Sequence, residues 1–312
     1  MSLTLTFLGT SASRPTVERG VSAVAIHREG ETMLVDCGEG TQRQMMRYGV
    51  SFALGDILFT HFHTDHFLGV LGLLRTLTLQ DRKDPLRLYG PKGMLQMLKR
   101  ADGLGLERLS FSLELCEVTP GEPIRRKEYA ILPFAVDHRA AMAVGYALIE
   151  DERRGIFDPA KARDLGIPEG PLWGRVHKGE AITLDDGRVI EPSVLVGPPR
   201  PGRRVVITGD TRPCAATIAA SQGADLLVHE ATFGDDEAQR ASETGHSTAR
   251  EAAEVAASAG ARRLALTHFS ARYSRDPSEL ERQARERFPA TTCVRDGQEI
   301  DVPYAGTAAG QA

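Results

Sequence analysis

His61-Phe62-His63-Thr64-Asp65-His66 places four side chains able to ligate a metal within six residues. The stretch follows an apolar β-type run, DILFT (56–60), and precedes FLGVLGLLRTLTL (67–79), which has helical character. In extended backbone alternate side chains share a face, so His61 and His63 can grip one cation from one side. Asp65 and His66, where the chain turns into the helix, point elsewhere and suit a second cation. Imidazole and carboxylate in this mixture favour zinc, with manganese or iron compatible.

Such a stretch needs partners, and the chain supplies them at the ends of other strand-like runs. His138 lies just past ILPFAV (131–136), Asp210 ends RRVVITGD (203–210), Glu230 ends DLLVHE (225–230) and His268 ends RRLALTH (262–268). With His61, five separate runs terminate in a residue suited to metal binding or proton transfer. That is the pattern expected when loops at one rim of a rigid sheet scaffold build a site. A lone histidine would be an ordinary core or surface residue, and His27, at the end of a hairpin strand, and His229 are read that way: the first as surface, the second as structural.

Composition narrows the class. At 312 residues, 41% hydrophobic and 26% charged, the chain can bury a sizeable core. Its start, MSLTLTFLGTSASRP, has no basic region followed by a long apolar stretch, and no run reaches membrane-spanning length. A cytoplasmic protein without a membrane partner is the expectation. Cys37, Cys116, Cys214 and Cys293 form no CxxC pair, which argues against a disulfide framework or a cysteine zinc site. The net charge of −4 argues mildly against a polyanionic partner, but clustered basic residues or bound cations outweigh a small net charge locally. GEGTQ (38–42) lacks the Lys-Ser/Thr of a phosphate-cradling loop.

The remaining elements follow from periodicity and turn chemistry. LTLTFL (3–8) alternates as a strand; a hairpin turns at Arg28 to Glu31; TQRQMMRYG (41–49) is a short helix; LRLYG (86–90) is a strand. MLQMLKRAD (94–102) is a helix closed by Gly103, and residues 109–149 are mainly β. Residues 150–203 are rich in proline and glycine, hold the sole tryptophan, Trp173, and read as an arm projecting from the core, with a solvated linker as the alternative. Within it Asp158-Pro159 can start a helix and Asp186-Gly187 can turn a hairpin. HSTAREAAEVAASAGA (246–261) is an alanine-rich helix with Ser247 as N-cap, TCVRDGQEIDVP (292–303) is the last strand, and 305–312 form a disordered tail. Residues 1–304 are thus expected to be one domain carrying an insertion.

With these pieces placed, the chain is identified as a member of the metallo-β-lactamase superfamily, whose HxHxDH hallmark is met by His61, His63, Asp65 and His66. Among its branches it resembles ribonuclease Z, the tRNA 3′-processing endonucleases, through FLGTSASRP, LVDCGEGTQRQMM, THFHTDHFLG, YGPKG, VDH, GDTR, VHEATF, GHST and LTHFSARY. The resemblance implies a four-layered αββα sandwich of the α/β class with an inserted flexible arm. It implies one zinc ion on His61, His63 and His138, a second on Asp65, His66 and His268, and Asp210 bridging both. Asp65 would also orient the attacking water, and Glu230 and His246 would act together, with His246 as the acid. It further implies a homodimer acting on precursor tRNA, cleaving after the discriminator nucleotide to leave a 3′-hydroxyl, with no DNA substrate. The arm, including Gly170-Pro171, would grip the tRNA elbow.

Further RNA contacts are expected from Trp173, Lys92, Arg272 and two basic subsegments, GRVHKG (174–179) and RPGRR (200–204), although residues 150–180 hold six Lys/Arg against seven Asp/Glu. Three other readings use the same residues. A dinuclear phosphodiesterase or lactonase of small substrates would keep the metal centre. A di-iron redox protein is disfavoured because His63 stands where such proteins carry glutamate, and a metal-free RNA scaffold is disfavoured by the filled ligand set.

Overall fold

The computed structural model describes residues 2–100, 108–139 and 142–305. The alternation Leu3, Leu5, Phe7 drives the first strand, β1 (Leu3–Gly9), and buries all three side chains in one core. β2 (Ala23–Arg28) and β3 (Glu31–Val35) form the expected hairpin, turned through Glu29 and Gly30 at positive φ. β4 (Leu54–Leu58), β5 (Leu86–Gly90) and β6 (Leu113–Glu117) then add in parallel. Between these strands lie helices α1 (Thr41–Arg47), α2 (Thr64–Phe67), α3 (Gly69–Leu79) and α4 (Met94–Arg100). The expected closure of α4 at Gly103 lies outside the described residues.

A second sheet begins with β7 (Ile124–Arg125), β8 (Tyr129–Ala135) and β9 (Val144–Glu150). The insertion contributes α5 (Pro159–Asp164), α6 (Pro171–His177), the hairpin β10 (Ile182–Thr183) and β11 (Val189–Ile190), and α7 (Pro192–Leu195). The sheet resumes with β12 (Arg204–Ile207), β13 (Leu226–Glu230), β14 (Leu264–Thr267) and β15 (Thr291–Cys293), joined by α8 (Ala215–Ala220), α9 (Ala238–Thr244), α10 (Ala249–Ser258) and α11 (Ser278–Arg285). β16 (Glu299–Asp301) returns to pair with β1, so the orders are β16-β1-β2-β3-β4-β5-β6 and β15-β14-β13-β12-β9-β8-β7.

Side-chain alternation sorts these strands into layers. Leu3, Leu5, Phe7, Met33 and Val35 from the first sheet meet Tyr146, Leu148, Val205, Leu226 and Val228 from the second in a shared core. The opposite faces carry separate cores: Leu34, Ile57 and Leu88 lie under Met45, Leu73 and Met94, while Val206, Leu227 and Leu266 lie under Ala252, Val255, Leu280 and Ala284. The result is the expected αββα sandwich. Each fully buried Leu, Val or Phe contributes about 1.5–3 kcal/mol, so the two inner sheet faces hold the scaffold and the strand ends are free to carry chemistry.

Two local expectations are corrected. TCVRDGQEIDVP is not one strand: Gly297, at φ 80, turns the chain after β15, and β16 joins the other sheet. The N-cap of α10 is Thr248, not Ser247. Thr248 forms a capping box with Glu251, whereas the Ser247 hydroxyl donates to the Thr211 carbonyl at 2.6 Å. The expected tail lies outside the described residues from 306 on.

The chain divides into two compact units, 1–149 with 203–312, and 150–202. The second is not a solvated linker. Ala162, Ile167, Val176, Ile182, Ile190 and Leu195 form its own small core, with Phe157 and Trp173 packed against it. Asp158 caps α5 through the Lys161 N–H, and Gly187, at φ 83, turns the β10–β11 hairpin. Paired backbone bonds between Arg153 and Arg200, both 2.8 Å, close its base.

Candidate metal centre

Each candidate ligand sits where a strand of the first unit stops. β4 ends at Leu58, and His63, itself extended, is the N-cap of α2, so Asp65 and His66 fall in that helix's first turn. The Cys37 N–H donates to the His66 carbonyl (2.8 Å) and the Gly69 N–H to the Cys37 carbonyl (2.9 Å), locking α2 to the loop after β3. The approach is so close that a Cβ on Gly69 would lie 1.9 Å from the Gly38 carbonyl oxygen. His138, Asp210 and His268 follow β8, β12 and β14, and Glu230 is the last residue of β13. Gly209, at φ 63, lets the Asp210 backbone pass the Thr60 side chain, which a Cβ there would meet at 2.7 Å.

The structure brings these residues into two abutting groups, His61, His63, His138 with Asp210, and Asp65, His66 with His268. In the first, His63 Nδ1 lies 2.9 Å from His61 Nε2 and 3.2 Å from His138 Nε2, while Asp210 Oδ2 is 3.7 and 3.9 Å from the latter two. In the second, His66 Nε2 lies 3.2 Å from His268 Nε2 and 3.6 Å from Asp65 Oδ2. Asp210 Oδ1 faces this group, 3.4 Å from His66 Nε2 and 3.3 Å from His268 Nε2. Asp210 therefore turns one oxygen toward each group.

These spacings test whether the residues fit a metal. Tetrahedral bonds of about 2.0–2.1 Å put neighbouring donor atoms roughly 3.3–3.4 Å apart, within the range observed. His66 Nδ1 bonds to Asp36 (2.7 Å), which leaves Nε2 as the ring nitrogen that faces the cluster. Asp210 Oδ1 is buried without a hydrogen-bond partner, which is costly unless a cation satisfies it. The donor set fits a dinuclear metal site.

Electrostatics agrees. Burial, reinforced by the neighbouring imidazoles, pushes His61 well below and His63 below the ordinary histidine value, leaving neutral rings that can ligate. Burial alone would raise the Asp210 carboxyl, but His268 and His66 outweigh it and hold it well below the carboxylate range. Asp65 is lowered likewise against burial, by His268 and by the charge of His66. His66 is the exception, since Asp210 and Asp36 overcome burial and raise it.

Beside the cluster, His246 Nδ1 meets Glu230 Oε1 at 2.8 Å and lies 3.8 Å from Asp210 Oδ2. Burial opposes charging this imidazole, but the Glu230 carboxylate prevails and lifts it to about 9. The Gly245 carbonyl, immediately before it, accepts from His138 Nδ1 at 2.8 Å. His229, by contrast, is fully buried with Nδ1 bonded to the Glu230 carbonyl, and takes no place in the cluster.

Sequence reasoning missed the residues that orient the imidazoles. Asp36 accepts from the Thr60 N–H (2.7 Å), the Thr60 hydroxyl (2.9 Å) and His66 Nδ1, and its own backbone is left-handed at φ 60. Such a non-glycine conformation costs ~1 kcal/mol and marks a functional constraint. Asp36 directly follows β3, so it is a sixth instance of the strand-end pattern. Thr60 and Thr232, which contact His61 and His268 through their hydroxyls, and the Ser13 N–H, which donates to Asp65 at 2.7 Å, carried no comparable signal.

The expected RNA contacts fare unevenly. Lys92 is exposed. Arg272 is committed to Asp236 and Glu237 (2.8 and 2.9 Å). Trp173 is half-buried, donating to the Ile167 carbonyl, because the insertion uses it for its own core. Arg203 of RPGRR is buried with its guanidinium over Tyr304, so that subsegment is not an open basic patch. Gly170 and Pro171 stand at the start of α6. His27 is half-buried rather than a surface residue, bonded to Thr32 within the hairpin.

An αββα sandwich with a dinuclear-type His/Asp cluster at its strand ends defines a metal-dependent hydrolase of the metallo-β-lactamase fold. A family model described as anti-Pycsar protein Apyc1 matches residues 3–156, and one described as a beta-lactamase superfamily domain matches 177–269. Among curated relatives, the ribonuclease Z of Gemmatimonas aurantiaca is 64% identical, covering 97% of this chain and 96% of its own length. That of Myxococcus xanthus is 53% identical (96% and 98%), and that of Haloferax volcanii 51% (100% and 99%). Human tRNase Z, short form, superposes with a TM-score of 0.68 at 29% identity, covering 96% of this chain and 99% of that one. The chain belongs to the ribonuclease Z family and is a metal-dependent endoribonuclease.

Proposed function

We propose that this protein removes the 3′ trailer from tRNA precursors, cleaving after the discriminator nucleotide, with two zinc ions per subunit. The observation that carries the reading is the Glu230–His246 pair set 3.8 Å from Asp210 in a chain that matches ribonuclease Z relatives from end to end. His61, His63 and His138 would hold one ion, Asp65, His66 and His268 the other, and Asp210 both. Two such cations neutralise charge on the scissile phosphate and make water nucleophilic at neutral pH.

The chain's own residues do the rest. Asp65, fixed through Oδ2 by the Ser13 N–H and kept ionised, orients the attacking water. The water oxygen bonds to phosphorus as the bond from phosphorus to O3′ breaks, and the proton shed by the water passes to solvent. O3′ leaves as an alkoxide unless protonated; His246, charged at neutral pH by Glu230, supplies that proton. The products are a tRNA with a 3′-hydroxyl and a trailer with a 5′-phosphate.

For docking, the proposal assigns the tRNA elbow to the insertion, including Gly170 and Pro171, with Lys92 and Arg272 as phosphate contacts and a homodimer as the acting form. Arg272 must release its carboxylates to serve. Among the described residues no helix is long and apolar enough to cross a membrane. The test is to incubate the purified protein with a tRNA precursor bearing a 3′ trailer, with and without chelator, and to map the new end. A chelator-sensitive cut after the discriminator nucleotide is expected. A chelator-insensitive cut, or hydrolysis of small diesters without precursor cleavage, would overturn the reading.

A further inference from the structure

Glu230 has more to do than hold His246. Its two oxygens are ringed by four donors: the Thr211 N–H (2.9 Å) and His246 Nδ1 (2.8 Å) on Oε1, and the Thr232 N–H (3.2 Å) and hydroxyl (2.6 Å) on Oε2. A carboxylate so surrounded is an acceptor at every position. The Thr232 hydroxyl has a single hydrogen, and it is given to Glu230. Yet the same oxygen lies 2.9 Å from His268 Nδ1, in a fully buried setting. With its hydrogen already used, it can only accept there, so His268 carries its proton on Nδ1 and turns a bare Nε2 toward Asp65, His66 and Asp210.

We propose that Thr232 is a positioning residue that fixes the tautomer and orientation of His268, so that Glu230 orders the proton donor and, through one hydroxyl, the adjacent metal position. The first half of the site has the same construction. Asp36 holds His66 directly, and through the Thr60 hydroxyl, 3.1 Å from His61 Nδ1, it holds His61. Each carboxylate thus serves one imidazole directly and a second through a threonine. His268 needs such a restraint, since its own backbone is left-handed at φ 58.

The inference rests on the ligand assignment proposed above, and the experiment separates the two. Zinc content is measured after dialysis against graded chelator for the wild type, His268→Ala, Thr232→Val and Thr232→Ser. The wild type is expected to hold two ions and His268→Ala to lose one; equal content in these two would overturn the ligand assignment itself. Thr232→Val keeps the shape but removes the hydroxyl, and should lose one ion at a roughly 10–100-fold lower chelator strength, with Thr232→Ser restoring it. Wild-type retention by Thr232→Val would overturn the role of Thr232 alone. Imidazole ¹⁵N spectra of the zinc-loaded wild type give an answer even if Thr232→Val fails to fold. His268 should show a proton on Nδ1, and a proton on Nε2 instead would refute the proposal.

Discussion

Replacing Glu230 by glutamine removes one charge from the centre of the site and turns one of its two acceptor oxygens into a donor. The consequence can be worked from the His246 imidazole. With the carboxylate 2.8 Å away its pKa is lifted to about 9, against an ordinary value of 6.5. Burial and His66 act in the opposite direction and Asp210 in the same one, so without the Glu230 carboxylate the pKa falls to about the ordinary value. At pH 8 the charged fraction then drops from about nine-tenths to about 3%, roughly 30-fold; at pH 6 it drops by less than about a third. If His246 donates the proton to O3′, the loss of single-turnover cleavage of a trailer-bearing precursor in Glu230→Gln should be roughly 20-fold greater at pH 8 than at pH 6, above the pH-independent loss from the altered contacts to Thr211 and Thr232. The sign is fixed: a donor whose pKa is lowered fails first at high pH. The assay is run at saturating zinc from pH 6 to 9, with metal content checked, because bound cations also pull His246 downward and set where the wild-type limb falls. A defect of the same size at both ends of the range would refute the proton-donor argument and leave Glu230 a purely geometric role.

Three further outcomes are expected. His246→Ala should slow single-turnover cleavage by ~10² to 10⁴ with two metals retained, as read by elemental analysis beside the kinetics; unchanged rates would sink the acid assignment. Asp36→Asn should weaken metal retention by about 10–100-fold, since His66 and Thr60 both donate to that carboxylate; competition with a chromophoric chelator measures it. Joining residues 149 and 203 by a short turn removes the insertion where β9 and β12 already pair antiparallel, Ile149 opposite Arg204. That variant should keep hydrolysis of a chromogenic small diester and lose precursor cleavage, and equal survival of both activities would remove the insertion from RNA docking.

The strand-end pattern explains how much of the centre was legible. A strand that stops at a functional rim leaves a polar residue directly after an apolar run, and that signature survives in one dimension. It picked out His61, His138, Asp210, Glu230 and His268, which the structure gathers together with His63, Asp65 and His66. It should also have drawn attention to Asp36, at the end of TMLVDC, but an aspartate before glycines is equally a turn former. The carboxylate's three bonds to Thr60 and His66 exist only once β3 and β4 lie side by side.

The threonines were illegible for a deeper reason. Thr60 and Thr232 act through the direction of one hydrogen, which is set by a carboxylate reached through the fold, so neither residue type nor spacing announces it. The same limit applies to the RNA contacts. Trp173, Arg203 and Arg272 were picked by type, as aromatic and basic residues, but a side chain's type does not say where it is spent. The insertion, with no other tryptophan to draw on, packs Trp173 half-buried against its own core, Arg203 lies over Tyr304, and Arg272 neutralises Asp236 and Glu237. Metal chemistry is legible because several scarce ligands must converge on one point. Docking on a folded RNA is spread over shape and backbone contacts, for which many surfaces would serve, and the chain carries correspondingly little trace of it.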